Sequence, residues 1–240
     1  MQPTANNLAA ILLVDKELGM SSFDVIRRLR KKFPSTAMGH CGTLDPMARG
    51  LLPILLGGAT KYSAKFMECR KVYRLEVRFG FATNGDDREG APIRWDNYGH
   101  VTIENLLPAL DSFVGEFLQR PPLLCAKKIG GQAAHKLARS GKSFTLADKL
   151  VCVHAISAVR WSAPLLCAEI ECGKGTYMRS IARDLGEKLH CSAHLHSLER
   201  LRCGGFSIGD AKKLSEFDAM APDEILGLAV DVDAAFSRSI

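Results

Sequence analysis

Gly39-His-Cys-Gly-Thr-Leu-Asp-Pro-Met-Ala-Arg-Gly50 is the stretch from which the rest of the chain can be read. It sets one acid, Asp45, between Gly42-Thr43 and Pro46, so the backbone there has little freedom and Asp45 is biased away from helical dihedrals. The apolar run Leu51-Leu52-Pro53-Ile54-Leu55-Leu56 follows and should anchor the loop on a buried element. Short-range chemistry alone also fits an aspartate in a turn before a core segment, so the neighbouring segments have to decide.

Upstream, Ala10 to Val14 reads as a short buried strand, and Ser22 to Phe33 as a helix capped by Ser21 or Ser22. Val25, Ile26, Leu29 and Phe33 share one face of that helix, which leaves the basic run Arg27-Arg28-Leu29-Arg30-Lys31-Lys32 largely on the other. Downstream, Tyr73, Leu75, Val77 and Phe79 alternate with Arg74, Glu76 and Arg78, the period of a half-buried strand. Asn84-Gly85-Asp86-Asp87 then marks a turn-rich excursion. Thr102 opens a helix with Ile103, Leu106, Leu107 and Leu110 at helical spacing, in which Pro108 is a potential kink.

Gln119 to Thr145 carries Pro121-Pro122, Gly130-Gly131 and several cations, and reads as a long basic insertion with at most one short helix, near His135 to Arg139. Leu166, Ala168, Ile170 and Cys172 alternate as a second strand, which ends at Gly173-Lys174-Gly175. Thr176 is expected to cap the helix that follows, with Met178, Ile181, Leu185 and Leu189 along its buried stripe. Lys174 and Arg179 thereby lie at a helix N-terminus, which already favours a carboxylate or phosphate.

Composition bounds the function. The 240 residues, 47% hydrophobic, suffice for one sizeable core or one core built from two lobes. The net charge of +6, clustered at 27–32, at Lys127-Lys128 and at Arg200-Leu201-Arg202, suits a polyanionic partner, although a solvated helix face explains any single cluster equally well. No run reaches the ~20 apolar residues of a membrane span, and the first residues lack the basic start of a signal peptide, so a cytoplasmic location is expected. Eight scattered cysteines without a Cys-x-x-Cys pair fit reduced thiols, and His190-Cys191-x-x-His194-x-His196 matches no common zinc spacing. A P-loop around Gly173-Lys174 would need glycine at 168, which is alanine, and neither a Gly-x-Gly-x-x-Gly after a strand nor a Gly-x-Ser-x-Gly elbow is present.

Four segments in this order resemble one family: Gly39-His-Cys-Gly-Thr-Leu-Asp-Pro, Lys71-Val-Tyr, Gln119-x-Pro-Pro, and Gly173-Lys-Gly-Thr-Tyr-x-Arg179 with Ala182-Arg-Asp-Leu-Gly186. The chain is similar to TruB-type tRNA pseudouridine synthases over about residues 10 to 208. Asp15-Lys16 before Gly19-x-Ser-Ser22, Ala193-His194 before Leu198-x-Arg200, and Gly204-Gly205-Phe206 agree with this. The resemblance implies an α+β pseudouridine synthase fold: a mixed, mostly antiparallel sheet flanked by helices, with a thumb-like insertion at 119–145. It implies a catalytic domain over 1–208 and a short C-terminal tail, 209–240, too small for a further RNA-binding domain.

The activity implied is isomerisation of one uridine, position 55 in the T-arm of tRNA, to pseudouridine, without cofactor or metal and by a monomer. Asp45 would be the nucleophile, Arg179 its cationic partner, and Tyr73 the ring that stacks on the flipped base. His40 would fill the space the base vacates. Lys61, Lys71 and the insertion would hold phosphates, and Gly42, Thr43, Lys174, Tyr177 and Leu198 would complete the substrate surface. The chain departs from the family at Thr83-Asn84-Gly85, where Thr-Asp-Thr is usual, and Asp86 or Asp87 would have to supply the missing carboxylate. Arg49, His135 and Glu17 also replace usual residues. The alternative functions are a non-catalytic tRNA chaperone or RNA-binding protein on the same fold, and a nucleosidase or glycosidase using Asp45 as nucleophile, although a glycosidase normally needs a second carboxyl that no segment clearly presents.

Overall fold

The computed structural model describes residues 8–125, 128–129, 132–133, 146–232 and 235. In chain order the first elements are β1 (Ala9–Lys16), α1 (Ser22–Arg30), β2 (Met38–His40), β3 (Ala48–Gly57), α2 (Ser63–Glu68) and β4 (Lys71–Phe79). Next come β5 (Phe81–Thr83), β6 (Pro92–Trp95), α3 (Ile103–Asp111), β7 (Gly115–Gln119), β8 (Lys128–Ile129), β9 (Gln132–Ala133), β10 (Lys149–Ser162) and β11 (Leu165–Cys172). The last are α4 (Met178–Lys188), β12 (Ala193–Cys203), β13 (Phe206–Ser207), β14 (Lys212–Lys213), α5 (Leu214–Ala219), α6 (Pro222–Gly227) and β15 (Val230–Asp231).

The chain forms two compact units, Met1–Tyr73 with Glu199–Ile240, and Arg74–Leu198. In the first unit β1 pairs antiparallel with β3 from Ala9↔Gly57 to Lys16↔Gly50, and β2 pairs antiparallel with β3. On its other edge β1 holds β15 antiparallel and β14 parallel, which makes the sheet mixed. Lys212–Lys213 and Val230–Asp231 are thus built into this unit's sheet. The pairing buries Ile11, Leu13, Leu51 and Leu55 with Phe66, Phe206 and Val232 in one core, so the apolar run after Asp45 anchors its loop as the sequence suggests.

In the second unit the strand order is β4-β11-β10-β7, with β10 antiparallel to both neighbours, and β5–β6 is a separate antiparallel hairpin. Leu75, Val77, Phe79, Leu166, Ala168, Ile170 and Cys172 are buried, the alternating sets read from sequence.

The helix ends differ from expectation for identifiable reasons. α1 stops at Arg30 instead of Phe33, because Phe33 precedes Pro34 and is disfavoured from helical dihedrals; its ring is buried all the same. Its N-cap is Ser21, in a capping box with Asp24. Thr176 does not cap α4: its hydroxyl donates to Gly173 O at 3.2 Å, and Tyr177 is the N-cap. Thr102 caps α3 as read, with Pro108 inside the helix. The short helix expected near His135 to Arg139 lies outside the described residues.

Candidate active site

Asp45 sits half-buried in the loop between β2 and β3. The loop closes on itself through Ala48 N–H donating to Asp45 O at 3.0 Å, and Cys41 N–H donates to Pro53 O at 3.1 Å. Beneath it lies Arg200, fully buried, whose Nε donates to Leu51 O at 2.7 Å and Nη2 to Gly42 O at 3.2 Å. A guanidinium out of water needs such acceptors, and here the carbonyls of Gly42 in the loop and of Leu51 on β3 supply them. Gly42 has φ of 104°, a conformation that favours glycine.

His40 ends β2, half-buried, and its Nδ1 finds no hydrogen-bond partner among the described residues. Burial, aided by the Arg200 charge, pushes its pKa below the ordinary histidine value, so the ring is neutral at neutral pH. Thr43 is exposed beside it. Lys61 is also exposed, with Nζ 5.1 Å from the Tyr62 ring centroid. Lys71 does not match the phosphate role expected of it: it is buried, and its ammonium donates to Met67 O and Cys69 O, where it satisfies carbonyls at the C-terminal end of α2. Tyr73 is half-buried on β4, the last residue of the first unit before the chain crosses into the second.

In the second unit Arg179 occupies the first turn of α4 and is buried. Its Nη1 donates to Leu124 O at 3.0 Å and Gly85 O at 3.3 Å, and lies 3.7 Å from Asp87 Oδ2. Of the two acids offered for the missing family carboxylate, Asp87 is thus the one beside Arg179, while Asp86 pairs with Arg183 at 2.8 Å. Tyr177 is gripped by the buried amide of Gln119, which donates to Tyr177 O at 3.1 Å and accepts from Tyr177 N–H at 2.8 Å. That contact fixes the start of α4 against β7. Lys174 is exposed and Leu198 buried. Among the described residues no group of three His, Cys, Asp or Glu could hold a metal; His194 instead donates from Nδ1 to Phe81 O at 3.0 Å. No helix among them is long and apolar enough to cross a membrane.

Sequence reading gave Asp87 only as one of two options, and it quoted Ser22, Gln119 and Arg200 within motifs without giving them a part in shaping the site. The signal was a polar side chain within a motif otherwise expected to be buried, which must find partners there.

The family model for TruB family pseudouridylate synthase (N terminal domain) matches residues 30–178, which include the Asp45 loop, β4 and the approach to Arg179. The chain belongs to the TruB family. It is 38% identical over 220 residues to tRNA pseudouridine synthase B of Solibacter usitatus, covering 92% of this chain and 75% of that protein. It is 41% identical over 216 residues to the protein of the same name from a Ruegeria species, covering 90% and 71%. Among solved structures it resembles one chain of a Cbf5-Nop10-Gar1 complex, with a TM-score of 0.72 and 21% identity. A second, from an H/ACA RNP bound to a substrate RNA containing 2'-deoxyuridine, gives 0.69 at 20%. This chain spans 62% and 61% of those two chains, and the likeness shows a shared fold: the α+β pseudouridine synthase architecture.

Proposed function

We infer that this TruB family member is an isomerase that converts uridine in tRNA to pseudouridine, and that Asp45 is its nucleophile. The observation that carries the reading is the Asp45 carboxylate, held in a braced Gly-Thr-Leu-Asp-Pro loop in a chain 38% identical to a tRNA pseudouridine synthase B over most of its length.

The chemistry needs little else. The N1–C1′ bond of the nucleotide breaks, the uracil turns so that C5 faces C1′, and a C5–C1′ bond forms; the C5 proton leaves and N1 takes one up. No atom is gained or lost overall, so no redox partner or group donor is required. Asp45 makes and then releases a covalent bond to one half, at the ring or at the anomeric carbon, while the site retains the other half through the rearrangement. A stacked base must first leave the helix. The neutral ring of His40, at the end of the strand leading into the loop, is suited to take its place without the cost of burying a charge. Tyr73 is assigned as the stacking ring and Arg179 as a catalytic cation on their motif positions. Arg179 is already oriented by Asp87 and two carbonyls. We assign the substrate uridine to position 55 of the T-arm.

The test is release of tritium from tRNA carrying 5-tritiated uridine, by the intact protein and by Asp45→Asn. Release by the first and background by the second is expected, with the product mapping to position 55. Binding without release by the intact protein would support an RNA-binding role instead, and free uracil among the products a glycosidase.

A further inference from the structure

The Asp45 loop is gripped from the turn that opens α1. Ser22 Oγ accepts from Leu44 N–H at 2.8 Å and donates to Leu44 O at 3.2 Å. One hydroxyl thus satisfies both backbone groups of the residue immediately before Asp45. On the other side, Gly19 N–H donates to Pro46 O at 2.9 Å. The turn at residues 19–22 therefore holds the chain just before and just after the acid, leaving Asp45 as the residue between two fixed points.

Ser22 is not needed for the ordinary purpose of a serine at this place. The cap of α1 is Ser21, whose Oγ accepts from Asp24 N–H at 3.2 Å and whose own N–H is taken by Asp24 Oδ2 at 2.8 Å. Ser22 is 2% exposed and Leu44 equally so. A hydroxyl taken out of water at this depth is costly unless paired, and here both of its bonds go to Leu44. Without it Leu44 loses a buried partner for its N–H and another for its C=O, and the peptide preceding Asp45 would move to find substitutes.

We propose that Ser22 is a positioning residue for Asp45: it fixes the peptide before the nucleophile so that the carboxylate meets the flipped nucleotide at the reacting distance. The proposal rests on the reading of Asp45 as nucleophile. A displacement of about 1 Å at such a group costs on the order of 100-fold in rate. Ser22 is buried and presents nothing to RNA, so its loss falls on kcat rather than on KM.

The experiment measures kcat and KM for tRNA, by tritium release, in the intact protein, Ser22→Ala, Ser22→Thr, Ser22→Cys and Ser21→Ala, with a thermal melt of each. For Ser22→Ala we expect kcat to fall roughly 10- to 100-fold with KM within about twofold. Ser22→Thr, which keeps the hydroxyl, recovers most of kcat, and Ser22→Cys, of similar size but a weaker donor and acceptor, falls between. Ser21→Ala weakens the same helix through its cap and leaves kcat unchanged. Wild-type kcat in Ser22→Ala overturns the proposal, as does an equal kcat loss in Ser21→Ala at an equal drop in melting temperature. If Ser22→Ala does not fold, a full kcat in Ser22→Cys overturns it in the same way. Absence of release by the intact protein overturns the reading of Asp45 itself, and this proposal with it.

Discussion

Arg183 Nη1 donates to Asp86 Oδ2 at 2.8 Å, joining α4 to a turn in which Asp86 adopts a left-handed backbone with φ of 60°. The same guanidinium reaches Asp184 Oδ1 from Nε and Arg120 O from Nη2, each at 2.8 Å, so the Asp86 turn and the Arg120 carbonyl join the helix's own Asp184 around one largely buried cation. Aspartate tolerates that backbone region better than most residues, and the turn it makes carries Asp87 toward Arg179.

Removing Arg183 is therefore expected to cost more than a surface ion pair would. The two side chains are 13% and 16% exposed, and Arg183→Gln leaves the Asp86 carboxylate without its strongest partner. We expect a loss of about 3 kcal/mol, the range for breaking a buried pair from one side. Urea unfolding measures it, and a loss under about 1 kcal/mol would show that the pair is effectively solvated.

Gly50 gives a second, sharper expectation in the other unit. Its φ is 101°, and a Cβ placed on it would lie 2.5 Å from Arg200 O and 2.8 Å from Arg200 N, backbone atoms that cannot swing aside. Gly50→Ala combines left-handed strain, roughly 1–2 kcal/mol, with a forced separation of β3 from β12 at the root of the Asp45 loop. A fall in melting temperature of at least about 5 °C is expected. A melt within about 2 °C of the parent would mean that the strands part there without difficulty.

How far these features were legible in the sequence depends on the range of the interaction. β4 and β11 were readable because alternation is a local property, and α1 was readable except at its end, where Pro34 outweighs the apolar spacing that reaches Phe33. Asp45 stood out because its glycine and proline neighbours restrict it locally. The acid that lies beside Arg179 within its own unit was not legible, because whether Asp86 or Asp87 faces it depends on a left-handed turn whose other side is α4, more than ninety positions on. Lys71 misled for a related reason: a lysine among RNA-facing motifs suggests phosphate, yet the nearest acceptors are the carbonyls just before it, and burial makes them decisive.

The histidines set a pH dependence whose sign can be worked out. Burial is the main cause pushing His194 below its ordinary value of 6.5, outweighing its bond to Phe81 O, and His40 is shifted the same way. A base with a lowered folded pKa takes up protons more readily when unfolded. Its contribution to stability is thus complete above about pH 6.5 and is lost as pH falls through the folded value. Acidification from pH 7.5 to 5 should lower the melting temperature of the parent more than that of His194→Gln, which has no proton to gain at that position. Equal losses in both would assign the acid sensitivity elsewhere.

The six-residue basic run at the end of α1 and just after it resolves into cations with different neighbours, and this separates RNA binding from stability. Arg28 pairs with Asp218, and Lys32 donates to Asp218 O and Met220 O, so both fasten α1 to α5 and the segment after it. Arg27 pairs along the helix with Asp24. Arg30 and Lys31, by contrast, are exposed at the helix end, on the solvent side of the element whose first turn holds Leu44. If they contact phosphates, neutralising both as Arg30→Gln with Lys31→Gln should weaken tRNA binding and reduce the slope of log affinity against log salt by up to about 2, roughly one per contact. Arg28→Gln with Lys32→Gln should lower the melting temperature instead and leave the slope unchanged. A slope that moves equally in both pairs would mean that RNA reads only the overall charge of +6, and one that moves in neither would take α1 out of the RNA path.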